Sequence, residues 1–197
     1  MVEYEQEYAG RGLICGVDEA GAGPLAGPVV AAAVIMPAGL IIDGVNDSKK
    51  LTERKRESLY EKITEKAVAW NIALIENDVI DEINILQARL EVMRLAVAGL
   101  EPAADFALVD GNINPLALVM PSIAIKGGDG LSHSIACASI LAKVVRDRIM
   151  VKHHETYPQY GFDKHKGYGT KVHFEAIREH GMCLIHRRSF LTKKRAV

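Results

Sequence analysis

The chain has 197 residues, of which 49% are hydrophobic and 25% are charged. This composition is typical of a globular protein with a buried core. The net charge of −1 conceals an asymmetry, because residues 143–197 hold 13 Lys and Arg against 5 Asp and Glu. A basic segment beside an acidic remainder suits a protein that binds a polyanion through divalent metal.

Three other features exclude whole classes of protein. The longest apolar stretch, residues 28–37, is about half the length of a membrane-spanning helix, and the N-terminus lacks the pattern of a secretory signal. Cys15, Cys137 and Cys183 are odd in number and widely spaced, which argues against a disulfide framework and against a zinc site. We expect a cytoplasmic protein with reduced thiols and no membrane contact.

Two apolar runs near the start, residues 13–17 and 28–36, predict a pair of buried strands. Asp18 and Glu19 follow the first run and precede a glycine-rich turn at residues 21–23. Because neighbouring side chains on a strand point to opposite faces, we expect the backbone to bend at the two acids so that both reach one point. From these residues alone, a metal site beside a phosphate and an ordinary solvated turn are favoured about equally.

A helix is predicted from Thr52, with residues 48–50 just before it. That short segment fits either a phosphate-binding loop or, slightly better, a solvated capped helix start. A third strand over residues 68–75 and a helix over residues 80–100 follow.

Two further short strands, residues 106–109 and 121–125, each lead into an acid beside glycines, Asp110 and Asp129. Acids gathered from separate strand ends form a costly like-charge cluster unless a cation neutralises it. Ligands that are all oxygen favour Mg²⁺ or Mn²⁺. Near a basic surface, such a site predicts metal-assisted hydrolysis of a phosphodiester.

A long helix is predicted over residues 132–156, with Ser139, Lys143 and Arg146 on one face and Asp147 paired with Lys143 for structural reasons. The chain beyond it is predicted to be irregular to about residue 169, then helical to about residue 180, and to end in a basic tail.

Aromatic residues lie among the basic residues that follow this helix, a composition that suits nucleic-acid binding. For Tyr157, Tyr160 and Phe162 we favour packing in the core.

A dinucleotide-binding site is the main competing interpretation, since Gly21, Gly23 and Ala26 fit G-x-G-x-x-G/A after a strand. The motif alone is weak. A strand-like run follows the glycines where the motif requires a helix, and Pro24 and Pro28 disturb a helix start.

A family resemblance is carried by eight segments: GVDEAGAGPLAGPVVAAAVI, NDSKKL, DEINIL, VDGN, KGGD, SIACASILAKVVRD, YPQYGFDKHKGYGT and HRRSF. In this order, from about residue 12 to 190, they resemble ribonuclease HII, the type 2 ribonuclease H. The resemblance implies an RNase H-like α/β fold, with a central five-stranded mixed sheet flanked by helices and a helical C-terminal part. It also implies a single catalytic domain over residues 1–197, of which residues 143–197 form the basic helical segment.

The resemblance further implies an endonuclease that uses Mg²⁺ or Mn²⁺ to cleave the RNA strand of RNA–DNA hybrids. Ribonucleotides embedded in duplex DNA would also be cleaved, as in ribonucleotide excision repair, leaving 5′-phosphate and 3′-hydroxyl ends. We expect a monomer, and a sliding clamp as a partner is left open.

Site residues are carried over from the family by position. The acids that would bind metal and catalyse are Asp18, Glu19, Asp110 and Asp129. The residues that would recognise the ribonucleotide are Gly21, Ala22 and Gly23 through the main chain, and Tyr168 by stacking on a sugar. Contacts with the duplex backbone would come from Lys49, Asn84, Ser139, Lys143 and Lys166.

The chain departs from the family pattern in two places. The glycine turn usually reads G-R-G, whereas Ala22 stands in the middle here; losing that guanidinium should cost on the order of 1.5–3 kcal/mol of substrate binding. One extra residue lies between Asp110 and Asp129, giving KGGD where KGD is usual. The residue that matches the family's acid, counted back from Ala138 in the following helix segment, is still Asp129.

Two alternatives therefore stay open. The chain could be a weakened or catalytically silent hybrid-binding protein because of Ala22. It could instead have the specificity of ribonuclease HIII, although we expect the extra N-terminal domain of that family to be absent before Gly12.

Overall fold

A computed structural model describes residues 1–115 and 120–192, the last without its side chain. Its five strands are β1 (Ile14–Ala20), β2 (Val29–Ile35), β3 (Ala69–Ile75), β4 (Phe106–Asp110) and β5 (Ser122–Ile125). They form one sheet in the order β3-β2-β1-β4-β5. β2 is antiparallel to β1 and β3, whereas β4 is parallel to β1 and β5. The predicted five-stranded mixed sheet is confirmed.

The helices are α1 (Glu3–Glu7), α2 (Glu53–Lys66), α3 (Asn77–Ala98), α4 (His133–Thr156), α5 (Phe162–His165), α6 (Lys171–His180) and α7 (Arg188–Thr192). Thr52 caps α2 as predicted, with its Oγ1 accepting from the Lys55 N–H at 3.3 Å. α3 begins three residues earlier than predicted, because its first turn is polar and the apolar pattern starts only at Ile80. No helix in the described residues is long and apolar enough to cross a bilayer. The predicted basic tail beyond residue 192 lies outside the described residues.

Helices cover both faces of the sheet, and β1 lies at its centre. Val17 packs with Val92 of α3 in one buried cluster, whereas Ala32 packs with Ile140 of α4 and Leu59 of α2 in another. Because side chains alternate along a strand, β1 presents neighbouring residues alternately to α3 and to α4. At the C-terminal end of β1, neighbouring side chains therefore face different helices, one towards α3 and the next towards α4.

The C-terminal part packs on the loop between β1 and β2. Tyr160 and Phe162 are buried in a cluster with Met150 and Ile185, and Tyr157 packs against it. This confirms the core role that was predicted for the three aromatic residues. The loop itself is tied to the C-terminal segment by backbone hydrogen bonds, from Gly27 N–H to Ile185 O at 2.9 Å and from Arg187 N–H to Leu25 O at 2.8 Å.

Candidate active site

Asp18 and Glu19 lie within β1, not after it. The strand continues to Ala20, which still pairs with Val30 of β2, so the predicted bend at the two acids is wrong. The ladder with β2 keeps the backbone extended, and the two carboxylates consequently point to opposite faces. Asp18 faces Ser139 of α4, whereas Glu19 faces α3.

Asp110 is the last residue of β4 and lies next to Asp18, since Val17 and Val109 are partners in the parallel ladder. Its Oδ1 accepts the N–H of Gly128 at 2.7 Å. A Cβ at Gly128 would lie 2.6 Å from Ile135 Cδ1 and 3.3 Å from that same Asp110 oxygen, so a larger residue here would have to displace the Ile135 side chain.

Asp129 is buried on the same turn, residues 128–130, and its charge raises the pKa of Asp110. The turn begins at Gly127, whose backbone is left-handed at φ +69°. The KGGD sequence is thus accommodated as a tight turn that keeps the acid beside β4.

Burial dominates the electrostatics of the acids. It raises the pKa of Asp18 well above its usual range, and the charges of Glu19 and Asp110 raise that pKa further. Burial also raises the pKa of Glu19, although Arg89 opposes the change. The pKa of Asp110 is raised by burial and by Asp129, against the hydrogen bond from Gly128. Three ionised carboxylates are therefore unfavourable here without a cation.

The contacts of the acids bear on whether a divalent metal ion fits between them. Glu19 Oε2 is buried without a hydrogen-bond partner among the described residues, while Oε1 accepts from Arg89. Lys49 Nζ lies 3.3 Å from Asp129 Oδ2. Oxygen donors with an unpartnered oxygen suit a hard divalent cation. However, within the described residues no three His, Cys, Asp or Glu side chains are close enough to form a ready-made metal site.

Two buried arginines donate hydrogen bonds to the glycine loop, which is the segment of residues 21–28 between β1 and β2. Arg187 donates to the carbonyls of Gly21, Ala22 and Gly27 at 2.7, 3.1 and 2.9 Å. With these carbonyls turned inward, the N–H groups of Ala22 and Gly23 have no acceptor among the described residues. The loop therefore offers donors to a ligand in the cleft.

Arg146 supports the other end of the loop and donates to the carbonyls of Ala26, Pro28 and Lys166 at 3.0–3.1 Å. Burial lowers the pKa of Arg146 to about 10 and that of Arg187 to about 9, so both stay charged near neutral pH. Arg146 lines the same cleft as Ser139 and Lys143, so the three share one face as predicted, but its guanidinium is bound by these carbonyls.

Most of the predicted substrate-binding residues line one cleft of about 210 Å³ together with the acids of β1 and β4. Those that line it are Gly21, Ala22, Gly23, Lys49, Ser139, Lys143 and Tyr168. Ser139 shares a hydrogen bond with Ser48 at 2.8 Å. Lys143 pairs with Asp147 at 2.6 Å, as predicted.

Asn84 and Lys166 lie away from the walls of this cleft. Asn84 interrupts α3 with φ +67°, and its Oδ1 accepts from the N–H groups of Leu86 and Gln87 at 3.0 and 3.2 Å. Lys166 is buried, with its ammonium donating to the Asp163 carbonyl. Their substrate contacts stay predictions.

Sequence reasoning missed two functional neighbours of the acids. Arg89 is one residue of an ordinary amphipathic helix, and nothing in its local sequence pairs it with Glu19, 70 positions earlier. Arg187 lies in the HRRSF segment, but its carbonyl partners come from the other end of the chain. Long-range contacts of this kind leave no periodic signal.

The mixed sheet with helices on both faces, and with acids at the ends of its central strands, defines a ribonuclease H-like hydrolase. The family model described as Ribonuclease HII matches residues 15–193. A curated Ribonuclease HII of Idiomarina loihiensis is 56% identical over 183 residues, which cover 93% of this chain and 97% of that protein. The chain therefore belongs to the ribonuclease HII family and is an endoribonuclease.

Solved structures agree with this assignment. The ribonuclease H2 of Pyrococcus horikoshii OT3 is similar with a TM-score of 0.77 at 28% identity, covering 92% of this chain and 95% of that one. The RNase HII of Archaeoglobus fulgidus, solved in a complex with PCNA, has a TM-score of 0.74 at 25% identity, covering 89% and 94%. Bst-RNase HIII in complex with Mn²⁺ shares the fold, with a TM-score of 0.72 at 18% identity, covering 93% and 68%.

Proposed function

We propose that this protein cleaves the RNA strand of RNA–DNA hybrids and also cleaves at single ribonucleotides embedded in duplex DNA. The products would carry 5′-phosphate and 3′-hydroxyl ends. The observation that carries the proposal is that the acids of β1 and β4 line the same cleft as residues 21–23, where two N–H groups have no acceptor among the described residues. Acids supply hydrolytic chemistry, and a loop of bare amides can detect the 2′-hydroxyl that distinguishes RNA from DNA.

The residues that would hold Mg²⁺ or Mn²⁺ are Asp18, Glu19, Asp110 and Asp129. A metal bound there supplies activation of water and stabilisation of the leaving oxygen. Asp18 and Asp110 present oxygens to the α4 side of the sheet edge, and Glu19 offers its unpartnered Oε2. Arg89 and Lys49 already place positive charge beside two of these acids, so metal binding has to proceed against both cations.

Substrate recognition is assigned to the two sides of the cleft. Gly21, Ala22 and Gly23 would contact the ribonucleotide through main-chain atoms, and Tyr168 would stack on the neighbouring sugar. Tyr168 is 45% exposed, and its ring lies close enough to Gly23 that a Cβ there would be 3.8 Å from Cε1. We expect the junction between the ribonucleotide and the next nucleotide to lie against Tyr168 and Gly23.

Lys49, with a side chain that is 76% exposed, is the best placed of the predicted phosphate contacts. Lys143 would have to share its ammonium with Asp147, and Ser139 its hydroxyl with Ser48. Asn84 and Lys166 are the weakest members of the set, since their side chains serve local structure. None of these contacts reads sequence, which suits an enzyme that acts wherever a ribonucleotide lies.

A sliding clamp is a candidate protein partner, supported by the PCNA complex of the Archaeoglobus fulgidus relative. We keep the monomer as the expected state of the free protein. Size-exclusion chromatography with and without a clamp tests both.

The deciding experiment uses a DNA duplex that contains one ribonucleotide. With Mg²⁺ or Mn²⁺ the wild-type protein is expected to nick it once, and Asp110→Asn is expected to bind it with similar affinity but to lose cleavage. The amide keeps an oxygen to accept the Gly128 N–H, so the fold is preserved. Near-normal turnover by Asp110→Asn would refute the site.

The second candidate is a silent hybrid-binding protein, which Ala22 favours because it places no positive charge in the middle of the loop. An intact strand across metals and pH, with binding retained, would support it. Cleavage of long RNA tracts without cleavage of the single ribonucleotide would instead support a specificity like that of ribonuclease HIII.

A further inference from the structure

Two buried histidines connect the C-terminal segment with the backbone of Tyr168. His173 Nδ1 lies 2.9 Å from the Tyr168 carbonyl oxygen, which can only accept, so this nitrogen carries a proton. In a neutral ring the Nε2 of His173 is then an acceptor. It lies 3.0 Å from His186 Nε2, which must donate.

The same logic fixes the second ring. With Nε2 of a neutral His186 protonated, its Nδ1 is the acceptor, and the Cys183 N–H donates to it at 2.9 Å. Cys183 Sγ and the Cys183 carbonyl are farther from this nitrogen, at 3.1 and 3.3 Å. Every donor in the chain from Cys183 to Tyr168 is therefore assigned. The two tautomers differ: His173 is protonated on Nδ1 and His186 on Nε2.

The surroundings keep both rings neutral. His173 is fully buried and His186 is 2% exposed. His165 stacks on His173 with ring centroids 4.5 Å apart, and Phe162 contacts both rings edge-on or tilted at 5.4 and 5.8 Å. No carboxylate joins this hydrogen-bonded chain among the described residues.

Tyr168 lies on the short connection between α5 and α6, so its position depends on the few bonds made by its backbone. Its N–H donates to the His165 carbonyl at 2.9 Å, and its carbonyl accepts from Thr170 N–H at 2.8 Å besides His173. At the other end of this hydrogen-bonded series, the backbone of His186 forms an isolated antiparallel β-bridge with Ala26, in the loop between β1 and β2. The two rings thus link Tyr168, which lines the cleft, to the segment that pairs with the loop between β1 and β2.

We propose that His173 is a positioning residue, whose hydrogen bond to the Tyr168 carbonyl fixes the backbone that holds the Tyr168 ring beside Gly23, where the nucleotide sugar would bind. This inference rests on the proposed function, because it concerns the same substrate. His173 does not touch substrate, and it acts only through Tyr168.

Two variants separate positioning from general stability. His173→Asn keeps an N–H close to the Nδ1 position but loses the acceptor for His186, whereas His173→Leu loses both hydrogen bonds at similar volume. On the one-ribonucleotide duplex we expect His173→Leu to raise KM about tenfold with kcat within about twofold. His173→Asn should keep KM within about twofold of wild type. A purely structural role predicts equal KM values for both variants, and that result would overturn the inference.

A second measurement does not need substrate. Two-bond ¹H–¹⁵N NMR spectra of the free wild-type protein should show His173 as the Nδ1–H tautomer and His186 as the Nε2–H tautomer. The opposite tautomer at His173 would overturn the inference even if the enzyme cleaves its duplex. If the wild-type protein neither binds nor cleaves the duplex while the tautomers are as expected, the proposed function fails and the hydrogen-bonded chain stands.

Discussion

Arg89 donates from Nε to Oε1 of Glu19 at 2.6 Å, and its Nη2 forms an ion pair with the same oxygen at 2.5 Å. The other oxygen, Oε2, is buried and has no partner among the described residues. The guanidinium thus compensates one acid of the cluster from the α3 side and leaves one oxygen free for a cation. A divalent metal on Oε2 would lie close to this positive charge.

We expect Arg89→Met to tighten Mn²⁺ binding about fivefold, since a neighbouring cation opposes a divalent ion by about 1 kcal/mol when partly screened by solvent. Calorimetric titration of the substrate-free protein with Mn²⁺ measures the change directly. Arg94→Met is the matched control, because Arg94 lies on the same helix and its side chain donates to Glu91 at the exposed surface. Weaker metal binding by Arg89→Met would mean that the guanidinium is needed to orient Glu19.

Asp18→Asn is expected to stabilise the protein in EDTA at pH 7.5. Burial and the charges of Glu19 and Asp110 raise the pKa of Asp18 in the folded protein. A carboxyl group whose pKa is raised by folding stabilises the folded state at low pH, and this stabilisation is lost as the pH rises through the folded pKa. At pH 7.5 the buried charge is therefore a burden that asparagine removes, and we expect the melting temperature to rise by a few degrees.

Addition of Mg²⁺ or Mn²⁺ should raise the melting temperature of the wild-type protein and leave that of Asp18→Asn nearly unchanged. Asp147→Asn is the control, because Asp147 is equally buried but pairs with Lys143 at 2.6 Å and Arg56 at 3.5 Å. That variant should lose stability. A fall in the melting temperature of Asp18→Asn would show that the acids are not strained.

The apolar patterns predicted the strands and the positions of the acids because those features are local, whereas the mixed sheet was implied by the family resemblance. Apolar runs of Val, Ile and Ala mark β1 and β2, and acids near glycines mark the ends of β1, β4 and β5. The predicted bend at Asp18 failed for a long-range reason: β2 pairs with β1 as far as Ala20 and holds it extended. The two faces of the sheet, not a turn, therefore separate Asp18 from Glu19.

The arginines that support the site could not be identified from the sequence. Arg146 lies on the helix face that it was predicted to share with Lys143, but nothing in the sequence indicated that its guanidinium donates to the carbonyls of Ala26 and Pro28. A buried arginine satisfied by three carbonyls has no charged partner to leave a pattern in the sequence. Only the packing of the C-terminal segment on residues 25–27 makes such partners available.

Gly21 and Gly23 should respond differently to alanine. At Gly21 the backbone is at φ +99°, and a Cβ would lie 2.1 Å from Arg146 Nε. Gly21→Ala should therefore displace the loop, destabilise the protein by on the order of 2 kcal/mol and raise KM. At Gly23 a Cβ would meet only Tyr168 Cε1, at 3.8 Å, so Gly23→Ala should fold normally.

Urea unfolding of the two variants, together with KM on the one-ribonucleotide duplex, tests this contrast. If Gly23→Ala keeps its stability but loses affinity, the main chain at Gly23 contacts the substrate closely. Equal stability of the two variants would contradict the close packing of Gly21 against Arg146.

The burial of His173 predicts a pH dependence of stability. Burial lowers the pKa of this ring to about 4, against about 6.5 in the unfolded chain. Between these values the unfolded chain binds more protons, so the stability contributed by His173 falls as the pH decreases from about 6.5 to about 4, by at most on the order of 3 kcal/mol. Protonation is opposed because an added proton on Nε2 would face the donor of His186.

Urea unfolding of the wild-type protein and His173→Asn at a series of pH values from 7 to 4 measures this contribution. Two other histidines, His165 and His186, contact His173. Burial also lowers their pKa values, and they titrate in both proteins. The wild-type stability should therefore fall more steeply than that of His173→Asn. Parallel curves would mean that His173 does not titrate differently in the folded protein.

Ala22→Arg is expected to strengthen substrate binding. Ala22 is half-buried and lines the cleft. Its carbonyl accepts from Arg187 at 3.1 Å, and its N–H has no protein acceptor among the described residues. We therefore expect a longer side chain at this position to extend along the substrate without disturbing the loop. One added charge-assisted phosphate contact should lower Kd about tenfold. The salt dependence should also steepen by nearly one power of the salt concentration, the amount expected for one more neutralised phosphate. Kd values of the Asp110→Asn background measured at several salt concentrations test both effects, with Ala22→Gln as the neutral control of comparable length. An equal gain for Gln would assign the effect to packing, and no gain for Arg would place the substrate backbone away from residue 22.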